Sequence, residues 1–307
     1  MHYTTHMNDS PVLFLHPPQS NASDAEYLSG FCDLAMSEGW LVKSIEFSKG
    51  VKTDFLEQLT AFWHPRGIII LGGPACPSFT FNTRLKRLPI VFIDWSPGPS
   101  GAGRTARGRR FALVSCDNAA SALTAAKRLM SRDFAAFAYV SSWYRAQWSE
   151  EREAEFRRAV ELNGKSFFRF DGTGLSVGGA AVIRRLCKWL EELPKPCGLF
   201  VAHDRVATEV LSAALKCAIS VPKDLSVLSV DDDAQVCESA TPTLSSIHPD
   251  FRMGGRLAGE LLRDLLAERT PAERHLHYGV SRVVGRSSDR VLLVPSPTIM
   301  TVLDYIR

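Results

Sequence analysis

One rhythm dominates this chain: a short apolar run, an amphipathic segment, then another apolar run, from Val12 almost to the end. Val12–Leu15, Ile68–Leu71 and Ile90–Ile93 are continuously apolar and predict strands buried on both faces, with a further strand at Leu41–Phe47. Between the first two strands, Ser23 and Glu26 stand in capping-box spacing before a helix striped by Tyr27, Leu28, Phe31, Leu34 and Ala35 and closed by Gly39. Asp54–Trp63 predicts a second helix. Later strands are expected at Phe111–Val114, Phe134–Val140, Phe167–Phe170, Leu199–Ala202, Leu225–Val230 and Tyr278–Val284. Later helices run from Asp117 or Asn118 to Met130, from Ser149 to Asn163–Gly164, and over Val177–Leu193, Asp204–Cys217 and Phe251–Ala267. Strands alternating with helices imply parallel sheets covered on both faces. In a chain of 307 residues they predict an α/β fold of two doubly wound parallel-sheet lobes.

Charge and cysteine content narrow the function classes. A formal net charge of +3 is too small to predict a nucleic-acid-binding surface. The one dense basic run, Arg104, Arg107, Arg109 and Arg110, lies among glycines and reads as a solvated loop, with a phosphate-binding patch as the other reading. Seven scattered cysteines without a CxxC pair favour a reducing compartment. No basic and apolar leader opens the sequence, and no apolar run approaches the roughly 18 residues needed to span a bilayer. The expectation is a cytoplasmic protein with no membrane partner.

Enzyme signatures are missing. There is no phosphate-binding GxxxxGK[ST], no HExxH and no GxSxG, so no catalytic residues, metal or cofactor are predicted. DGTGLSVGG at Asp171–Gly179 has Val177 where a dinucleotide loop needs its third glycine, and reads as an ordinary turn. His275 and His277 are two apart in a predicted surface loop, and a metal site there is the weaker reading. What remains is polar residues at the C-terminal ends of strands, the edge at which open α/β sheets bind ligands. Asp94 follows Ile90–Ile93, His203 and Asp204 follow Leu199–Ala202, and Asp231 follows Leu225–Val230. Arg152 stands one turn into its helix, with Trp148 four residues before it. Carboxylates, an arginine fork and an aromatic face suit the hydroxyls and ring of a sugar. Each residue also has a plainer reading: Asp204 and Asp233 as helix caps, Trp148 as core, Arg152 paired with Glu151 or Glu155.

The stretch Gly198–Leu266 resembles the effector-binding domain of the Lac repressor and ribose repressor family. The resemblance is carried by the strand into His203–Asp204, by VPKDLSVLSVDDD, by PTLSSI and by the closing amphipathic helix, and extends loosely over Val12–Val294. WSEEREAEFRRAV at Trp148–Val160 and the tail from Val280 are similar to the xylose-operon activator type, which joins such a sensor to a C-terminal AraC-type DNA-binding domain. The resemblance implies a periplasmic-binding-protein type I-like fold with a cleft between lobes. Its first lobe is 10–116 plus 249–276, its second 117–248 plus 277–294, and 295–307 begin a linker toward a DNA-binding domain expected beyond Arg307. It implies a monosaccharide effector, xylose or a related pentose, operator DNA as partner through that further domain, and a homodimer. Asp94, Arg152, Asp204 and Asp231 match its sugar-contacting positions, Phe251 an aromatic lining the cleft, and His16 a loop near the ligand. His203 departs from the usual Asn or Thr. A transport-type sugar-binding protein and a nucleotide-dependent α/β enzyme are the alternatives.

Overall fold

The computed structural model describes residues 10–18, 22–47, 54–72, 85, 87–95, 110–175 and 178–290. The chain divides into two compact units, Met1–Ala120 with Pro249–Ser281 and Ser121–His248 with Arg282–Arg307.

In the first unit, strands β1 (Val12–His16), β2 (Val42–Glu46), β3 (Gly67–Leu71), β4 (Ile90–Ile93), β5 (Phe111–Cys116) and β11 (His275–Tyr278) form one sheet in the order β11-β5-β4-β3-β1-β2. The pairs are parallel, with Val12 opposite both Val42 and Gly67, and Ile90 opposite Phe111. Successive side chains point to opposite faces, so a continuous apolar strand feeds two cores. Val12, Phe14, Ile69 and Leu71 pack under helices α1 (Ala22–Ser37) and α8 (Phe251–Leu266), whereas Leu13, Leu15, Ile68 and Ile70 pack with Leu56 of α2 (Phe55–Trp63). The two upper helices approach through glycines: a Cβ on Gly255 would sit 1.9 Å from the Tyr27 carbonyl, and one on Gly30 1.9 Å from that of Arg252. Any side chain at either position would push the helices apart.

The second unit repeats the plan with β6 (Ala136–Val140), β7 (Phe167–Phe170), β8 (Cys197–Val201), β9 (Leu225–Val230), β10 (Ser245–Pro249) and β12 (Val280–Val284), in the order β12-β10-β9-β8-β6-β7. Its helices are α3 (Asn118–Met130), α4 (Gln147–Leu162), α5 (Ala180–Glu192), α6 (Asp204–Lys216) and the short α7 (Ala234–Ser239). Val182, Leu186 and Leu190 of α5 and Val206 and Val210 of α6 cover one face, and Phe156 of α4 packs on Phe200 at 5.1 Å on the other.

Several expectations shift. Helix α1 starts at Ala22, which places Ser23 inside the first turn rather than at its cap. Helix α4 starts at Gln147, and Ser149 instead accepts a hydrogen bond from the Ser142 amide at 3.1 Å. Helix α5 begins only at Ala180, because Gly178 is left-handed (φ 73°). Tyr278–Val284 is two strands, one in each sheet, and the chain returns to the second unit after Ser281 rather than at 277. The basic loop at 104–109, residues 176 and 177 of the glycine-rich stretch and the tail from 291 lie outside the described residues.

Candidate functional site

In each sheet the order reverses beside the first strand of the unit, and this reversal opens a crevice at the C-terminal strand ends. In the second unit the reversal falls between β6 and β8. The loop after β6 carries Tyr144, and α4 carries Trp148 and Arg152 one turn apart on one side. His203 follows β8 and Asp231 follows β9.

These residues meet. The Arg152 guanidinium lies 4.9 Å from the Trp148 ring centroid and donates to the Ala202 carbonyl at 2.6 Å, with only 5% of the residue exposed. The Trp148 ring meets His203 edge-on at 5.7 Å and Tyr144 at 6.1 Å. Burial, then the positive charges of Arg152 and Arg205, push the His203 imidazole down to about 3, so it is neutral at ordinary pH. Burial, then the negative charge of Asp231, raise the Tyr144 phenol, which places Asp231 within electrostatic reach of the aromatic group. Asp231 itself is held in the left-handed region at φ 114°, its amide bonded to the Ile247 carbonyl at 2.9 Å. The second unit thus gathers a cation, a carboxylate, a neutral imidazole and two aromatic rings, and Tyr144 remains 42% exposed.

Asp204 has another role. It is 1% exposed, and its carboxylate accepts from the hydroxyls of Ser229 and Ser246 (2.6 Å for the latter), the Asp233 amide at 2.8 Å and the Cys237 thiol at 3.3 Å. With about four acceptor positions on a carboxylate, it is occupied within its own lobe and anchors the loop that follows β9. Asp233 is a helix cap, accepting from the amides of Gln235 and Val236 at the start of α7.

In the first unit Asp94 is left-handed (φ 47°) and exposed at the end of β4. Its Oδ2 accepts from the hydroxyls of Tyr27 and Tyr278, the latter at 2.5 Å, and its Oδ1 accepts from the Cys116 amide at 2.9 Å. Burial, then the Asp94 charge, hold both phenols protonated and therefore donating. Phe251 packs edge-on against Tyr27 at 5.2 Å, so it belongs to the same group. His16 ends β1 at the reversal point of this sheet but is buried, its Nδ1 2.7 Å from the Pro17 carbonyl. Among the described residues, none of its interactions ties it to the Asp94 group.

Tyr144 was legible as an aromatic just past a strand end, but the sequence reading overlooked it. Tyr27 and Tyr278 lie 251 positions apart, and only the fold brings them together. The His275 and His277 rings lie 4.2 Å apart, tilted by 35°, and among the described residues no group of three or more acidic, histidine or cysteine side chains could hold a metal. Among the same residues, no helix is long and apolar enough to cross a membrane.

Residues 126–288 match the family of periplasmic binding protein-like domains. The chain belongs to that family. This periplasmic binding protein-like chain is 24% identical over 200 residues to the xylose operon regulatory protein of Haemophilus influenzae, covering 64% of this chain and 52% of that protein. It is 24% identical over 284 residues to the HTH-type transcriptional regulator GntR of Pseudomonas aeruginosa, covering 90% of this chain and 78% of that protein. The chain therefore spans only about half the length of the Haemophilus relative. Among solved structures, the xylose-binding transcription activator XylR superposes with a TM-score of 0.72 at 20% identity, over 96% of this chain and 73% of that one. A LacI-family regulatory protein from Chloroflexus aggregans gives 0.67 at 20% identity, over 91% and 98%. These likenesses bear out two parallel-sheet α/β lobes of the periplasmic-binding-protein kind.

Proposed function

We propose that this chain is the effector-sensing part of a bacterial transcription regulator, and that it binds a monosaccharide, xylose or a related pentose. The observation that carries this reading is the Tyr144–Trp148–Arg152–His203 group, with Asp231 in electrostatic reach, at the reversal point of the second sheet. Arg152 and Asp231 would donate to and accept from sugar hydroxyls, while the Trp148 ring faces the apolar side of the sugar. In the first lobe, Asp94, Phe251 and His16 are the residues proposed to contact the ligand. The names of the Haemophilus relative and of the XylR structure support the pentose.

Ligand binding would shift the sensor between two states, and moving such an equilibrium from 1:99 to 99:1 takes about 5.5 kcal/mol of differential affinity. In a cytoplasmic homodimer that shift would then alter DNA contact through a separate domain. The resemblance of the sequence favours an AraC-type domain, whereas the HTH-type relatives support a helix-turn-helix one. Calorimetric titration of D-xylose, L-arabinose, D-ribose and D-glucose tests the ligand class. A pentose is expected to bind, with Arg152→Met weakening it at least thirtyfold, roughly the loss of one charge-assisted hydrogen bond. Wild-type protein that binds none of the four overturns the reading.

A further inference from the structure

Asp231 and Asp232 are consecutive non-glycine residues in the left-handed region, at φ 114° and 52°. Such a backbone persists only where its surroundings hold it, and here the holding group is the Asp232 side chain, only 6% exposed. Its carboxylate meets Arg286 at 2.9 Å, His248 at 3.5 Å and Arg282 at 3.5 Å, and its amide donates to the Ser246 hydroxyl at 3.0 Å. Arg286 is itself fixed to Glu238 at 2.6 Å and to the Leu244 carbonyl at 3.0 Å. Burial raises the Asp232 carboxyl, but its contacts with His248 and Arg286 outweigh it and hold the group below the usual carboxylate range.

The positions of these partners along the chain matter. His248 is the last residue of the second unit before the chain leaves it at Pro249, and Arg282 is the first after the chain returns. One carboxylate thus grips both of these crossing segments and the loop that presents Asp231. We propose that Asp232 is a positioning residue that fixes Asp231 for ligand and passes ligand engagement to the segments around His248 and Arg282–Arg286. The inference rests on Asp231 contacting the sugar, as argued above.

The test uses the full chain, with D-xylose as probe, calorimetry for affinity and hydrogen–deuterium exchange for the segments. In wild type, xylose is expected to slow exchange over 244–249 and 281–287. In Asp232→Asn, affinity should fall about tenfold and the slowing at both segments should vanish, while slowing in the Tyr144 loop persists. Asp232→Glu should restore part of the segmental response, which a general loss of stability would not do. If Asp232→Asn fails to fold, Arg286→Gln tests the same contact by the same readout. A variant that binds xylose and protects both segments as wild type does overturns the inference alone, whereas wild type that binds no xylose removes its foundation with the functional reading.

Discussion

Replacing Asp204 with alanine removes the acceptor on which four donors converge. The hydroxyl of Ser229 has a second acceptor in the Ser245 carbonyl at 3.4 Å, but the Asp233 amide is fixed by its backbone and loses the carboxylate to which it donates. A buried donor left without an acceptor costs about 1–3 kcal/mol, and the partly rescued hydroxyls add about 1 more. The expected loss is about 3 kcal/mol at pH 5, or roughly 6–12 °C in Tm for a unit of this size. The loss depends on pH in a definite sense. Burial raises the Asp204 carboxyl to about 6 against its donors, so the folded state binds its proton more tightly than the unfolded chain does. That contribution is full below about pH 4 and fades as pH rises through 6. The alanine variant lacks it, so its penalty should be about 1 kcal/mol smaller at pH 8 than at pH 5. Urea denaturation of both proteins at the two pH values measures this. A loss below about 1 kcal/mol, or a larger penalty at pH 8, would refute the reasoning.

His203 should act with the opposite sign. Neutral when folded down to about pH 3, it lets the unfolded chain take up a proton below about 6.5, so its contribution is full above that value and is lost as pH falls. His203→Asn should flatten the acid side of the stability curve between about pH 6.5 and 4, read from denaturation midpoints across that range. In the first unit, Tyr278→Phe and Tyr27→Phe should each cost about 1.5 kcal/mol through loss of a donor to Asp94. Because the two phenols share one carboxylate oxygen, the double variant should lose less than the sum in a double-mutant cycle.

The strands were easy to find where apolar residues dominate them, even when isolated polar residues such as Arg169, Ser226 and Ser229 interrupt the run. Ile90–Ile93, Phe167–Phe170 and Leu225–Val230 came out with the boundaries the structure gives. Strand β10 was matched as a segment but not as a strand, because its buried core positions include Ser245 and Ser246, which a hydrophobic pattern cannot register. Their burial makes sense only once Asp204 and Asp289 are seen to accept from them. Arg152 was recognisable as a donor one turn into its helix and Trp148 from the resemblance of WSEEREAEFRRAV, whereas the structure places both on one helix. Asp204 was harder: an aspartate after a strand looks the same in sequence whether it faces a ligand or ties together two loops. What decided it were serines 25 and 42 positions away. Tyr278 escaped notice because the split between β11 and β12 at Gly279 falls inside what the sequence reads as a single strand, Tyr278–Val284.

The central claim is that a sugar sits against Trp148 beside Asp231, and tryptophan fluorescence during xylose titration tests it most directly. The account predicts a saturable change in emission that disappears in Trp148→Phe even though calorimetry still detects binding, and no saturation in Asp231→Ala. Xylose binding that leaves the Trp148 emission unchanged, or an Asp231→Ala variant that titrates like wild type, would contradict it.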